Sequence, residues 1–267
     1  MSSPSTVGGI ARDAQPAPPQ AALPTGPLSA PECVPLRDAA EVRALGRVVV
    51  LAPHADDESL GCGGLIALAA AAGQRPHVVL VTDGTRSHPN SPSYPAPRLR
   101  ALREAELARA CARLGATHAA LRHPDCGLPA PGTDAFARAA DGLATAIGDA
   151  DTLLVPWRRD PHCDHERTWQ LARAARARRD RPVRWIEYPV WAWTKVGQPE
   201  APRAGEGLAW RLDIAAVLPA KRRAVAAHRS QTTRMIADDP DGFCLAPDML
   251  ALFDRPYELF LEPHDVA

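Results

Sequence analysis

Imidazole and carboxylate side chains crowd into two short runs of this chain. Pro53-His54-Ala55-Asp56-Asp57-Glu58 follows directly on the apolar run Val48-Val49-Val50-Leu51-Ala52, and Asp160-Pro161-His162-Cys163-Asp164-His165 comes soon after a second run, Thr152-Leu153-Leu154-Val155. Apolar runs of this length read as buried strands, and open α/β sheets place their chemistry just beyond the carboxyl ends of such strands. His54 and Asp57 can reach one cation from a tight loop, with His165 as a third donor. Two imidazoles and a carboxylate leave a coordination position for water, the pattern of a hydrolytic zinc, so one Zn2+ per chain is expected. Asp56 adjoins a ligand but is directed elsewhere, which makes it the candidate base for the attacking water. His162 is placed to stabilise an oxyanion or protonate a leaving amine, and Asp164 to hold an imidazole in its working orientation.

The elements that must carry these residues alternate. Arg47 to Ala52 reads as a strand and Ser59 to Ala72 as a helix; His77 to Thr82 is a second strand that ends in the turn signal Asp83-Gly84. After a Pro- and Ser-rich loop, Arg98 to Leu114 has the apolar spacing of an amphipathic helix stopped by Gly115. Thr117 to Leu121, a helix capped by Thr133 and running to about Ile147, Thr152 to Val155, a helix from Glu166 to Arg179, and Val183 to Tyr188 continue the rhythm. Strands at 208–214 and 257–261 and a helix at 219–229 follow more irregularly. This alternation predicts an α/β fold, Rossmann-like, with a mostly parallel sheet, helices on both faces and a more irregular C-terminal part. The loops 53–58, 83–97, 123–132 and 156–165 all follow strands and are expected to meet at one crevice.

In its motifs the chain resembles the PIG-L/LmbE-like family of zinc-dependent N-acetylglucosaminyl deacetylases. Pro53-His54-Ala55-Asp56-Asp57-Glu58 is similar to that family's [AP]-H-P-D-D-E, with Ala55 in place of the usual proline, and His162-Cys163-Asp164-His165 to its H-x-D-H. Thr82-Asp83-Gly84, Arg103-Glu104-Ala105-Glu106-Leu107, Asp125 and Ala227-His228-Arg229-Ser230-Gln231 add to the likeness, which spans roughly residues 45 to 262. The resemblance implies hydrolysis of an acetamide on an amino sugar, small or lipid-linked. It assigns His54, Asp57 and His165 to the metal, Asp56 to the base and His162 to the transition state, and places Arg103 and Asp125 at the substrate; His228 is a further candidate for the substrate, or else a helix cap.

Composition narrows the field. The 267 residues carry 31 Lys+Arg against 31 Asp+Glu, so no net field favours nucleic acid or an anionic membrane as partner. The six cysteines include no C-x-x-C pair, which argues against a thiolate zinc knot and a disulfide-dense scaffold. Neither a signal peptide nor a transmembrane segment is evident, and a cytoplasmic enzyme is expected. Residues 1 to 30, rich in Pro and Ala, read as a disordered tail ahead of a single domain from 31 to 267. Gly61-Cys62-Gly63-Gly64 lacks the glycine at Ile66 that a dinucleotide loop requires and reads as a tight strand-to-helix turn. Cys163 is expected to point into the protein, and Trp157, Trp191 and Trp193 are candidates for a sugar-stacking wall or for the core. Two other readings compete. A two-His, one-carboxylate iron oxygenase has a similar ligand count but usually a β-barrel frame. A non-catalytic carbohydrate binder would have no use for Asp56.

Overall fold

A computed structural model of the chain describes residues 26–265. The first 25 residues of the Pro- and Ala-rich tail lie outside the described part; the residues just after them form a turn in which Leu28 is buried. Among the described residues eight strands make one sheet: β1 (Leu36–Arg37), β2 (Val48–Ala52), β3 (His77–Thr82), β4 (Thr117–His123), β5 (Thr152–Pro156), β6 (Arg184–Tyr188), β7 (Leu208–Asp213) and β8 (Tyr257–Glu262). Their order is β1-β7-β8-β6-β5-β2-β3-β4, parallel throughout except for β8, which runs antiparallel to β6 and β7.

The apolar runs become central strands because both of their faces are covered. Every residue of β2 and β5 is buried. Val48, Val50 and Ala52 face helices α1 (Asp57–Ala71), α2 (Ala96–Leu114) and α5 (Leu218–Val225); Val49 and Leu51 face α3 (Asp134–Ile147) and α4 (Cys163–Arg176). Each fully buried Val or Leu contributes about 1.5–3 kcal/mol over its exposed state, which pins these strands at the centre. Two short helices, α6 (Arg229–Thr232) and α7 (Pro247–Phe253), complete the C-terminal part. No helix among the described residues is long and apolar enough to cross a membrane.

The topology fixes where chemistry can occur. From β2 the chain builds β3 and β4 on one side, then crosses back to place β5 and β6 on the other. Strands β2 and β5 are therefore neighbours across the switch point, where loops leave in opposite directions and open a crevice. Both chemistry-bearing runs emerge there. This open, mostly parallel sheet is not the β-barrel frame of the iron oxygenase reading.

Three boundaries differ from expectation, for local reasons. Helix α1 begins at Asp57 and takes in Gly61, Gly63 and Gly64, so these glycines lie inside the helix and form no strand-to-helix turn. A Cβ at Gly61 would stand 2.3 Å from the Tyr188 ring and one at Gly64 2.5 Å from Ile214, so their absent side chains let α1 settle on neighbouring side chains. Helix α4 starts at Cys163 because His162 caps it, accepting the Asp164 N–H at its Nδ1, which puts His165 in the first turn. The late helix stops at Val225, and Arg229–Thr232 is a separate turn.

Behind α1 sits a buried ion pair. Lys221 Nζ donates to Glu258 Oε1 at 2.7 Å, and the same carboxylate accepts the N–H groups of Gly64 and Leu65 at 2.6 and 2.8 Å. Both side chains are almost wholly buried. Replacing Lys221 with methionine strands a buried carboxylate, which is expected to cost about 3–5 kcal/mol. Urea unfolding of the variant should show a lower midpoint at unchanged slope; a loss below about 1 kcal/mol, the usual value of an exposed pair, would contradict it.

Candidate active site

The loop after β2 is tied down from below and turned sharply. Pro53 O accepts both the Thr82 N–H and the Thr82 hydroxyl, at 3.1 and 2.8 Å, which fastens the end of β2 to the end of β3. Asp57 Oδ2 reaches back to the His54 N–H at 2.8 Å. Between them Asp56 takes φ 148°, a conformation that L-residues rarely adopt, and this strain turns the chain into α1. Asp56 stands at the N-cap position, yet its side chain caps nothing. Its N–H is held instead by Glu58 Oε2 at 3.0 Å, so the Asp56 carboxylate stands at the cavity wall with no capping duty.

The two imidazoles are each fixed by a carboxylate. His54 Nε2 donates to Asp164 Oδ2 at 3.0 Å, with Asp125 Oδ1 at 3.6 Å. His165 Nδ1 lies 2.7 Å from Asp160 Oδ2. Each carboxylate takes the proton of one ring nitrogen and leaves the lone pair of the other available. These free nitrogens, His54 Nδ1 and His165 Nε2, lie 3.5 and 3.3 Å from the same atom, Asp57 Oδ2. Donors on a tetrahedral cation with bonds of about 2.0–2.1 Å stand about 3.3 Å apart, close to these two spacings. His165 is fully buried, and its Nε2 makes no hydrogen bond. A buried imidazole left so is costly without a further partner, which a metal would provide. His54, His162 and His165 also present donor atoms within 4.8 Å of one another, as do His54, Asp125 and Asp164.

Burial and charge act on these groups in opposite senses. Burial disfavours charge on His54, but the carboxylates of Asp125, Asp164 and Asp57 outweigh it and raise its pKa well above the usual value. Burial likewise works against His165, yet Asp57 and Asp160 lift it to about 9. Asp57 is carried the other way: burial raises it, and His165 and His54 more than reverse that. Asp56 is raised to about 6 chiefly by burial, against the pull of the Arg103 guanidinium. His162 falls to about 4 through burial and its two imidazole neighbours.

A cavity of about 250 Å³ opens over this group. Its walls include His54, Asp56, Asp57, Arg103, Asp125 and His162, with Trp191, Phe243 and Leu245 on the apolar side. His162 lies edge-on to His54 at 4.6 Å and stacks along Trp191 at 6.2 Å. Of the three candidate tryptophans only Trp191 reaches the cavity; Trp157 is core, its indole N–H donating to Glu200 O.

Arg103 is buried, and two of its N–H groups are spent on backbone, Ala55 O at 2.9 Å and Gly84 O at 3.2 Å. Its Nη2 stands 3.6 Å from Asp56 Oδ2. Asp125 lines the cavity and accepts the Arg86 N–H at 2.9 Å. His228 departs from its expected place at the substrate. It is 0 % exposed and sits behind the cavity wall, its Nε2 2.8 Å from Glu58 Oε1. Helix α6 is the cause, since it opens at His228 and turns Ser230 onto Glu106, at 2.9 Å from the N–H and 2.6 Å from the hydroxyl.

Cys163 also departs: it is exposed, because the first turn of α4 directs Asp164 and His165 inward and leaves the position between them outside. Two residues had gone without a role. Asp160 fixes His165 and also accepts the N–H groups of Val190, Trp191 and Ala192, at 3.2, 3.0 and 2.6 Å. Glu58 holds the Asp56 backbone, Ser59 and His228 together. Their signal was present, as acids inside the two clusters with no ligand duty.

Residues 49–176 match the PIG-L family model, described as GlcNAc-PI de-N-acetylase. No curated protein gives a significant match. Among solved structures, the conserved protein TT1542 from Thermus thermophilus is 26% identical over 81% of this chain and 94% of that one, with a TM-score of 0.57. N,N'-diacetylchitobiose deacetylase from Pyrococcus horikoshii shares the fold at a TM-score of 0.59, with 23% identity over 80% of this chain and 82% of that one. The zinc-inhibited form of teicoplanin deacetylase Orf2 shares it at 0.60, with 22% identity over 80% and 97%. The matched segment holds both clusters of donors and the strands that bring them together, so the likeness to the PIG-L family covers the candidate site itself.

Proposed function

We propose that this protein is a zinc-dependent hydrolase that removes an N-acetyl or other N-acyl group from an amino-sugar conjugate. The observation that carries the reading is the Asp56 carboxylate, which caps no helix and stands at the wall of a cavity shared with His54 and Asp57. His54, Asp57 and His165 would hold the zinc, which supplies Lewis-acid chemistry: it makes water a nucleophile near neutral pH and polarises the acyl oxygen. Asp56 accepts the proton of the attacking water and returns it to the nitrogen as the amide C–N bond breaks. The Nδ1 of His162 is occupied as the acceptor of the Asp164 N–H, so its proton sits on Nε2, the donor for the negative charge that develops on the acyl oxygen. Asp164 and Asp160 keep the two imidazoles oriented.

The cavity is smaller than the 300–1,000 Å³ or so typical of pockets for drug-sized ligands. It suits one acylated sugar, with the rest of the conjugate, soluble or lipid-linked, outside. Asp125 and Trp191 are placed to meet that sugar. The relatives named as deacetylases of diacetylchitobiose and teicoplanin support the substrate class.

Acetate release from a panel of N-acetylglucosamine conjugates tests the function. Zinc-loaded protein is expected to release acetate and free amine in equal amounts, and chelated protein none. Bound zinc with no acetate from any conjugate would overturn the substrate class.

Arg103 is a positioning residue under this reading, because its donors tie the backbone at Ala55, next to Asp56, to the loop after β3 at Gly84. Arg103→Ala is expected to lower kcat by about 10–10²-fold, the cost of letting a catalytic group drift by about an ångström, with little change in KM. A raised KM at unchanged kcat would instead mark a sugar-binding arginine.

A further inference from the structure

On the far side of His54 from Asp57 lies a second group of donors, separate from the set assigned above. Cys126 Sγ, Cys163 Sγ and an oxygen of Asp164 lie within 4.8 Å of one another. The two thiols come from different elements: Cys126 from the loop after β4, at φ 55°, and Cys163 from the first position of α4. Both are exposed, whereas Asp164 is buried. Asp164 Oδ2 also accepts the Cys126 N–H at 2.9 Å, which fastens the loop against the helix and keeps the thiols in register. A further carboxylate stands close, with Cys126 Sγ 3.5 Å from Asp125 Oδ1.

The geometry points to a second cation site, built from Cys126, Cys163 and Asp164, for a thiophilic divalent ion of the zinc and cadmium type. Two sulfurs with one or two carboxylate oxygens are a soft donor set that selects such ions over magnesium or calcium. Bonds of about 2.3 Å to sulfur would place the two Sγ atoms about 3.8 Å apart, inside the 4.8 Å within which these donor atoms lie. Each thiol gives up its proton as its sulfur binds the ion. No disulfide forms in this arrangement and no electrons are transferred.

Occupancy would bear on the neighbouring site through Asp164, whose Oδ2 fixes His54 Nε2 at 3.0 Å. A cation on the thiol side competes for that carboxylate and loosens His54. The resulting inhibition rests on the function proposed above; the binding does not.

The test titrates the zinc-loaded, full-length protein with Cd2+ under nitrogen, after its thiols have been reduced with a phosphine and the phosphine removed. Thiolate-to-cadmium charge-transfer absorption arises only from sulfur ligands, so cadmium that merely replaces zinc on His54, Asp57 and His165 gives no band. The expected result is a band that saturates at about one equivalent while two thiols become unreactive toward an aromatic disulfide reagent. Cys126→Ser and Cys163→Ser are each expected to weaken the cadmium affinity at least about tenfold. Cys33→Ser, at an exposed cysteine elsewhere, is expected to leave it unchanged. Circular dichroism of each variant separates lost binding from lost fold, and Cys163→Ala gives a second route at that position. No band in the reduced wild type, or a band of full strength in the Cys126→Ser/Cys163→Ser double variant, would overturn the site. A band of the expected kind from a protein that releases no acetate in any state would count against the deacetylase reading and leave the thiol site standing.

Discussion

Asparagine in place of Asp56 is expected to lower the rate of deacylation by about 10²–10⁴-fold, the range that a positioned general base contributes. The substitution is chosen because it removes only the basicity. Asparagine has the same heavy-atom shape as aspartate, so the sharp turn at φ 148° is not further strained. Backbone contacts of this residue survive, since the bond from its N–H to Glu58 and those that its carbonyl accepts from Ser59 and Leu60 do not involve the side chain. Metal content is expected to stay at that of the unsubstituted protein. Steady-state acetate release and metal analysis on one sample decide the matter. An Asp56→Asn protein that keeps its metal and more than about a tenth of its rate would show that another group takes the proton.

Much of this arrangement was readable in the chain because the strands on either side of the switch point are both short, unbroken apolar runs. Burial on both faces gives β2 and β5 an unbroken apolar signature, and each ends where its polar cluster begins. Strand order was less accessible. Nothing in Leu36–Arg37 announces a strand, since a two-residue element has no periodicity and exists only because Pro35 O and β7 supply partners. Helix α7 is similarly short, and its packing of Met249 and Phe253 on the core, rather than any propensity, holds it.

The side chains that proved hardest to place from sequence are those whose direction depends on where a helix begins. Starting α4 at Cys163 instead of Glu166 turns Cys163 outward and His165 inward, and no apolar spacing marks that start. His228 was misplaced for a related reason: a late turn brings it to Glu58, a contact across 170 residues that no local pattern encodes. Asp160 illustrates the remaining difficulty. It lies inside the second cluster, but its task is visible only once β6 delivers the N–H groups of Val190, Trp191 and Ala192 to one of its sides and His165 occupies the other.

That double attachment makes Asp160 and His165 the natural pair on which to separate holding a metal from orienting the residue that holds it. His165→Ala deletes a donor and leaves the carboxylates of Asp57 and Asp160 buried without the imidazole between them. Its zinc affinity is expected to fall by more than the 10–100-fold or so that loss of an orienting partner costs, and activity to vanish with the metal. Asp160→Asn keeps the imidazole and most of the hydrogen bonds from the backbone but weakens its hold on the Nδ1 proton, so the expected loss stays within that range and added zinc recovers activity in part. Equilibrium dialysis against zinc, with activity followed at each free-metal level, distinguishes the two. Should His165→Ala bind zinc as tightly as the unsubstituted protein, the ion would have to lie on the other side of His54, among Asp125, Asp164 and the Nε2 nitrogen, where a second set of donors converges. The assignment of His54 Nδ1 as the ligand atom would then fall with it, because the same ring cannot give its Nε2 proton to Asp164 and its Nε2 lone pair to a metal.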